Sequence, residues 1–245
     1  MLGKRYVDVM RGQLDKLEGQ LEHLSEVADR IAERLATGGA LHIHDTGHLL
    51  NQELVNRAGG LMAMTPLQYS FSVHNPVSAK HAARPPIGET DLRFAVTNAA
   101  LDASQVRAED VLIIGSVSGR AANVVDLALR ARERGTLVVA LTSLTYSGSV
   151  TSKHPSGKRL FEAAEIAIDN GAIEGDACLE VEGLPVRAVP TSGVGAAMTA
   201  WALVAEVIEK LLARGITPTV YASANLDWGQ EFNDRAKHGF DESGI

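Results

Sequence analysis

The chain has 245 residues, of which 45% are apolar and only 4% aromatic, with a formal net charge of −7. That length suits one α/β domain with extensions, and the shortage of aromatic side chains leaves a core built from Ala, Val, Leu and Ile. The acidic balance excludes a broad basic field for nucleic acid or an anionic membrane, and the one cysteine, Cys178, excludes an internal disulfide framework.

From Val7 the apolar residues recur at Met10, Leu14, Leu17, Leu21, Leu24, Ala28, Ile31 and Leu35, alternately three and four apart. This predicts one long helix with a coiled-coil-like seam, ended by Gly38-Gly39 and packed along its own core or across a second subunit. Residues 1–39 are therefore taken as a helical extension, 40–233 as the main domain and 234–245 as a polar tail. The chain opens on a charged amphipathic segment, and no apolar run is long enough to span a bilayer, so a cytoplasmic protein is expected.

Ala40 to His44 reads as the first strand, running into Asp45-Thr46-Gly47-His48. A helix is expected from Leu49 to Ala58, a short strand from Leu61 to Met64, and then a loop or lid from Thr65 to Gly88 carrying Pro66, Pro76, Pro85 and Pro86. Helical spacing returns from Glu89 to Ala103. Val111-Leu112-Ile113-Ile114, bounded by Asp110 and Gly115, reads as a strand buried on both faces, with a helix from Ala121 to Arg134 after it.

Thr136 to Leu141 is a further apolar strand, followed by a polar loop from Ser143 to Lys158. A short helix at Leu160 to Ala164 and a short strand at Ile166 to Ile168 come next. Ala177 to Glu182 and Val186 to Val189 read as two extended pieces around Gly183-Leu184-Pro185. Cys178 lies between Ala177 and Leu179, where nothing lowers its pKa, so a small buried hydrophobe is expected. Thr191-Ser192-Gly193 opens a helix from Val194 to Arg214 that is apolar nearly all round and therefore buried. No regular pattern is read beyond Pro218. Strand and helix alternate through the middle of the chain, which argues a doubly wound α/β sandwich whose ligand sits at the carboxyl ends of the strands.

Three polar loops fall at strand ends or helix starts: Thr46-Gly47-His48, Ser116-Val117-Ser118-Gly119 and Thr191-Ser192-Gly193. Converging, they form a basin of hydroxyls and helix N-termini suited to a sugar and its phosphate. Each alone is also an ordinary tight turn. Glu53, on the helix leaving the first loop, is placed to act as a general base between adjacent sugar carbons, or else pairs with Arg57 at i+4. His154, in His154-Pro155-Ser156-Gly157-Lys158, is a second proton-transfer group beside Lys158 as a phosphate contact, or a plain turn. His42, His44, Asp45 and His48 have the ligand types of a transition-metal site but the spacing of none that is standard, so no metal or other cofactor is expected.

The order of these elements resembles a SIS (sugar isomerase) domain. The runs Thr46-Gly47-His48, Arg57-Ala58-Gly59-Gly60-Leu61, His154-Pro155-Ser156-Gly157-Lys158-Arg159-Leu160, Asp169-Asn170, Gly175-Asp176-Ala177 and Ser223-Ala224-Asn225 resemble the UPF0309 subgroup, often labelled by analogy as phosphoheptose isomerases. The resemblance implies a flavodoxin-like three-layer α/β/α sandwich, a homodimer or homotetramer, and a phosphosugar bound at strand ends with sites shared between subunits. It implies Glu53 as base, His154 as its assistant, and Ser116 and Ser118 on the phosphate. Arg57, Lys158, Thr191, Ser192 and Asn225 are the further binding residues expected.

Asp45 and Leu49 stand where that pattern has an outer glycine and serine. An aspartate beside a phosphate is repulsive unless protonated or paired, which leaves open a sugar without phosphate, or a metal on Asp45. The function expected is sugar-phosphate binding with aldose–ketose isomerisation through an enediol. The alternatives are a phosphosugar sensor without catalysis, or a phosphosugar lyase or etherase. Nucleic acid and membrane are not expected as partners.

Overall fold

The structure, a computed structural model, describes residues 1–47, 50–85 and 91–245. Its centre is a parallel sheet of β1 (Leu41–Asp45), β2 (Met64–Pro66), β3 (Val111–Gly115), β4 (Leu137–Thr142) and β5 (Ile166–Asp169), in the order β2-β1-β3-β4-β5. This is the flavodoxin-like order, and the doubly wound α/β fold expected from the sequence is the fold observed. Every residue of β3 and β4 is buried, because both faces of the sheet are covered.

The two-residue period of a strand divides the apolar side chains between two cores. Ile43, Val111, Ile113, Leu137 and Val139 face α2 (Leu21–Ala36) and α9 (Ser192–Ala213). Leu112, Ile114, Val138 and Ala140 face α6 (Ala122–Glu133), with Leu101 of α5 (Leu92–Ala103) and Leu160 of α8 (Leu160–Ala163) on the same side. Each fully buried Leu or Ile contributes about 1.5–3 kcal/mol by leaving water. Truncating Ile113 to Ala should cost about 2–5 kcal/mol through the cavity it leaves.

The predicted long N-terminal helix is two helices. α1 (Leu2–Glu18) ends at Gly19, and α2 starts after Gln20. Glycine weakens the helix there, and the side chain of Gln20 donates to the Asp169 carbonyl at 2.7 Å while that of Gln13 donates to the Gly171 carbonyl at 3.2 Å. The two glutamines clamp the end of β5. The seam then divides: Leu24, Val27, Ile31 and Leu35 of α2 are buried in the core, whereas Leu2, Val7 and Leu14 of α1 are exposed.

Other boundaries moved for local reasons. α3 (Leu50–Leu54) stops short of Ala58, two residues before Asn56 takes a left-handed φ of 56°. The strand placed at Leu61 is β2, three residues later, because Leu61 bridges Val220 and the Met62 N–H is taken by the Thr219 carbonyl. The proline-rich stretch carries one turn of helix, α4 (Ala79–Ala82), and the polar loop after β4 carries α7 (Leu144–Ser149), capped by the Ser143 side chain on the Tyr146 N–H. The expected helix start at Glu89 lies outside the described residues.

β6 (Ala177–Leu179) and β7 (Ala188–Pro190) pair as an antiparallel hairpin. Cys178 of β6 is half-buried, and burial pushes its thiol pKa up. The tail read as patternless forms α10 (Gly229–Ser243). It is a polar helix held by Asn233, whose side chain accepts from the Ala222 N–H and donates to the Ala222 carbonyl. Among the described residues no helix is long and apolar enough to cross a membrane.

Candidate functional site

β1 and β3 are neighbours in the sheet, but the chain leaves them in opposite directions. After β1 it enters α3, whose Leu50 and Leu54 join the α2/α9 core; after β3 it enters α6 on the other face. Loops that diverge this way open a crevice at the carboxyl rim, the usual ligand position in an open α/β sheet. The crevice here is a cleft of about 330 Å³ whose wall includes Asp45, Thr46, Gly47, Ser116, Ser118, Tyr146, Asn170, Asp176 and Ser192. The three polar loops singled out in the sequence all reach it.

Among the helices that begin at this rim, the N-termini of α3, α6 and α9 differ. At α3 the Asp45 carboxylate accepts the Gly47 N–H at 2.9 Å and the Leu50 N–H at 2.8 Å. At α9 the Asp176 carboxylate accepts the N–H groups of Thr191 and Ser192 at 3.0 and 2.7 Å and the Ser192 hydroxyl at 2.8 Å. Thr191 is fully buried and its hydroxyl donates to the Asp176 carbonyl. Both starts thus hold an anion from their own chain. At α6 the N-cap is Ala121, which makes no side-chain cap, and the first turn contains no acidic residue. The partial positive charge of that helix end is thus not met by an acidic residue of its first turn, and the Ser116 and Ser118 hydroxyls lie in the loop before it.

The loop before α6 depends on two glycines. A Cβ at Gly115 would run into the Leu50 side chain. Gly119 has φ +56°, and a Cβ on it would lie 3.0 Å from both Leu160 Cβ and Ser147 Oγ. The loop is also braced from behind: the Leu160 N–H donates to the Gly119 carbonyl at 2.8 Å and the Lys153 N–H to the Arg120 carbonyl at 2.9 Å.

The remaining expected site residues lie elsewhere in the chain. Glu53 does not line the cleft; its Oε1 is 3.4 Å from the Arg57 guanidinium and 3.4 Å from the Trp201 indole nitrogen, at the contact of α3 with α9. His154 is on the α5/α6 side of the sheet. Its Nδ1 accepts from Ser156, its Nε2 is 3.6 Å from the Asp126 carboxylate, and its ring meets Phe94 edge-on. Lys158 and Asn225 are exposed and neither lines the cleft. His48 lies outside the described residues.

The histidines of β1 have protein partners. His42 bonds Asp110 through Nε2 and Thr65 through Nδ1, at 3.1 and 3.2 Å. His44 donates from Nδ1 to the Leu67 carbonyl at 2.9 Å and stacks on Tyr69, and burial pushes its pKa below the usual 6.5. Among the described residues no group of three or more His, Cys, Asp or Glu is placed to hold a metal ion.

Three polar lining residues have no role on sequence grounds: Tyr146, Asn170 and Asp176. The signals were present as the Asp169-Asn170 and Gly175-Asp176 pairs after β5. What the sequence did not show is that Asp176 crosses the base of the hairpin to meet Thr191 and Ser192.

A model of the SIS domain matches residues 5–143 of the chain. A UPF0309 protein of Listeria innocua is 35% identical over 241 residues, covering 97% of this chain and 95% of that one. A UPF0309 protein of Halalkalibacterium halodurans is 34% identical over 212 residues, covering 86% and 82%. Among solved structures, the Vibrio vulnificus NanR protein complexed with ManNAc-6P is similar at 15% identity and a TM-score of 0.38, over 98% of this chain and 70% of that one. With the SIS model over more than half its length and relatives matched almost end to end, the chain belongs to the SIS-domain family and, within it, to the UPF0309 group.

Proposed function

We propose that the cleft binds a sugar phosphate, and that the bound sugar is interconverted between aldose and ketose forms. The observation carrying the binding reading is the unequal rim: the starts of α3 and α9 are closed by Asp45 and Asp176, and that of α6 has, among the described residues, no side-chain cap. A phosphate at α6 accepts first-turn N–H groups and the Ser116 and Ser118 hydroxyls, and gains from the partial positive charge of the helix end. The hydroxyls of the sugar then face Asp45 and Asp176, which are acceptors only when ionised, and Asn170. About 330 Å³ is near the lower end of small-molecule pockets, roughly 300–1,000 Å³, which fits a single sugar better than a dinucleotide.

Isomerisation requires a base that takes the proton from the carbon beside the carbonyl and returns it to the adjacent carbon, while the hydroxyl proton moves between the two oxygens. Membership of the SIS family supports this chemistry, with Glu53 as the base. Binding without chemistry is the second reading, and it is favoured by the position of Glu53 against Arg57 and Trp201 instead of in the cleft wall.

Titration with four- to seven-carbon aldose phosphates, followed by calorimetry and by proton NMR in heavy water, separates the two. The isomerase reading expects binding with deuterium uptake next to the carbonyl. Glu53→Gln should abolish that uptake while affinity stays within a few-fold. Binding without uptake in the native protein selects the sensor, and no binding by any member of the series removes the sugar-phosphate site.

A further inference from the structure

Asp45 stands between two hollows. One is the cleft between the ends of β1 and β3; the other, of about 290 Å³, lies at the ends of β1 and β2 and shares only Asp45 and Gly47 with the first. Two polar groups of this second hollow are buried without a protein partner. His44, in its wall, is 8% exposed, and its Nδ1 donates to the Leu67 carbonyl. With its pKa pushed down by burial the ring is neutral near pH 7, so Nε2 carries a lone pair. No described residue donates to that lone pair. Asn51, on α3 in the same wall, has its Oδ1 fully enclosed and likewise unbonded among the described residues. A buried acceptor left unpaired lowers stability, and native proteins keep such groups where a ligand or ordered water completes them.

The rest of the wall narrows the occupant. Asp45 is its one carboxylate, and among the described residues it holds no Lys or Arg, so a phosphate is repelled. A cation is not called for either, because the Asp45 charge is already met by the Gly47 and Leu50 N–H groups at the start of α3. Gln52 and Gln68 line the hollow from exposed positions, and an amide side chain both donates and accepts. About 290 Å³ has room for one molecule of sugar size.

We infer that the hollow between the ends of β1 and β2 is a second binding site, and that it takes an uncharged polyol whose hydroxyls donate to His44 Nε2 and Asn51 Oδ1 and accept from the Gln52 and Gln68 amides. The two acceptors that have no partner in the chain are the ones such a ligand completes. The site is separate from the phosphate position proposed at α6 and stands whether or not the cleft binds a sugar phosphate.

The test is a titration of the nitrogen-labelled full chain with D-glucitol, a six-carbon polyol without charge or carbonyl, followed by NMR of imidazole nitrogens, side-chain amides and backbone N–H groups. The signals of His44 Nε2 and of the Asn51 amide should shift together while the N–H groups of Ser118 to Asn123 stay in place. Asn51→Leu removes an acceptor that has no partner in the free protein. It should therefore leave the melting temperature unchanged or raise it, and weaken glucitol affinity by about tenfold or more. If that variant melts early or does not fold, Gln68→Ala, at an exposed position, decides, with affinity expected to fall about threefold or more at unchanged melting temperature. No shift at His44 and Asn51, shifts confined to Ser118 to Asn123, or native affinity in the deciding variant overturns the inference, as does methylammonium binding there in place of glucitol. Failure of every sugar phosphate to bind would refute the reading of the cleft and leave this site standing.

Discussion

The loop that leads into α6 and the start of α9 line the same cleft, yet only the second of these helix starts is closed by a distant carboxylate. Both are helix N-termini with small polar residues around them, and both read alike as anion cradles. The difference is one residue: Asp176 reaches back to the first N–H groups of α9, while α6 starts from Ala121, whose side chain makes no cap, and has no acidic residue in its first turn. A Gly-Ser or Thr-Ser start therefore marks a place for an anion without saying whether the protein has already filled it. That depends on a long-range partner.

The comparison predicts unequal responses to mutation. Replacing both Ser116 and Ser118 by Ala should cost about 3 kcal/mol or more in sugar-phosphate binding, over roughly a hundredfold, because two hydrogen bonds to a charged group are lost. The same pair should leave the melting temperature nearly unchanged, and calorimetry with thermal melting checks both.

Asp176→Ala should do the opposite, lowering stability by about 1–2 kcal/mol through loss of a helix cap, or roughly 2–8 °C for a chain of this size. It should also let phosphate reach α9. If Asp176→Ala melts like the native protein, the closed start is not closed by that carboxylate. Gly119→Ala should cost about 1 kcal/mol or more, since alanine at φ +56° is strained and its Cβ meets Leu160 and Ser147. Its binding should fall with its stability, because the strained residue lies in the loop proposed to hold phosphate.

The smallest expected effect is a pH dependence. His44 is held neutral by burial, so its folded pKa is below the usual 6.5. Its contribution to stability is present above pH 6.5 and is lost as the pH falls through the folded pKa. His44→Phe should flatten that part of a stability–pH curve measured by urea unfolding. An unchanged slope would assign it to other groups.

Local patterns were enough for the sheet. Val111 to Ile114 could be read as a buried strand because four apolar residues between Asp110 and Gly115 have no exposed face to serve, and the apolar circumference of α9 marked it as a core helix. Features set by distant partners could not be read. The periodicity of the N-terminal seam runs unbroken through Gly19, and it is Gln13 and Gln20, bound to Gly171 and Asp169, that fix where α1 yields to α2. α10 shows only Phe232, Ala236 and Phe240 as a narrow apolar stripe in a polar segment, and its anchor is Asn233 on Ala222.

At the site, the residue types and the convergence of the loops followed from the sequence, because a doubly wound sheet brings strand ends together. The division of labour among them did not, since Asp176 and Ser192 are separated by a hairpin. Glu53 had two readings at the outset, and the pairing with Arg57 visible in the i+4 spacing is the contact that the single chain forms.

The most direct test of the central claim is a titration of the amide-labelled protein with inorganic phosphate, followed residue by residue in proton–nitrogen NMR spectra. The N–H groups of Ser118 to Asn123 are expected to shift while those of Ser192 to Gly195 stay in place. Shifts at the start of α9, or none at the start of α6, would contradict it.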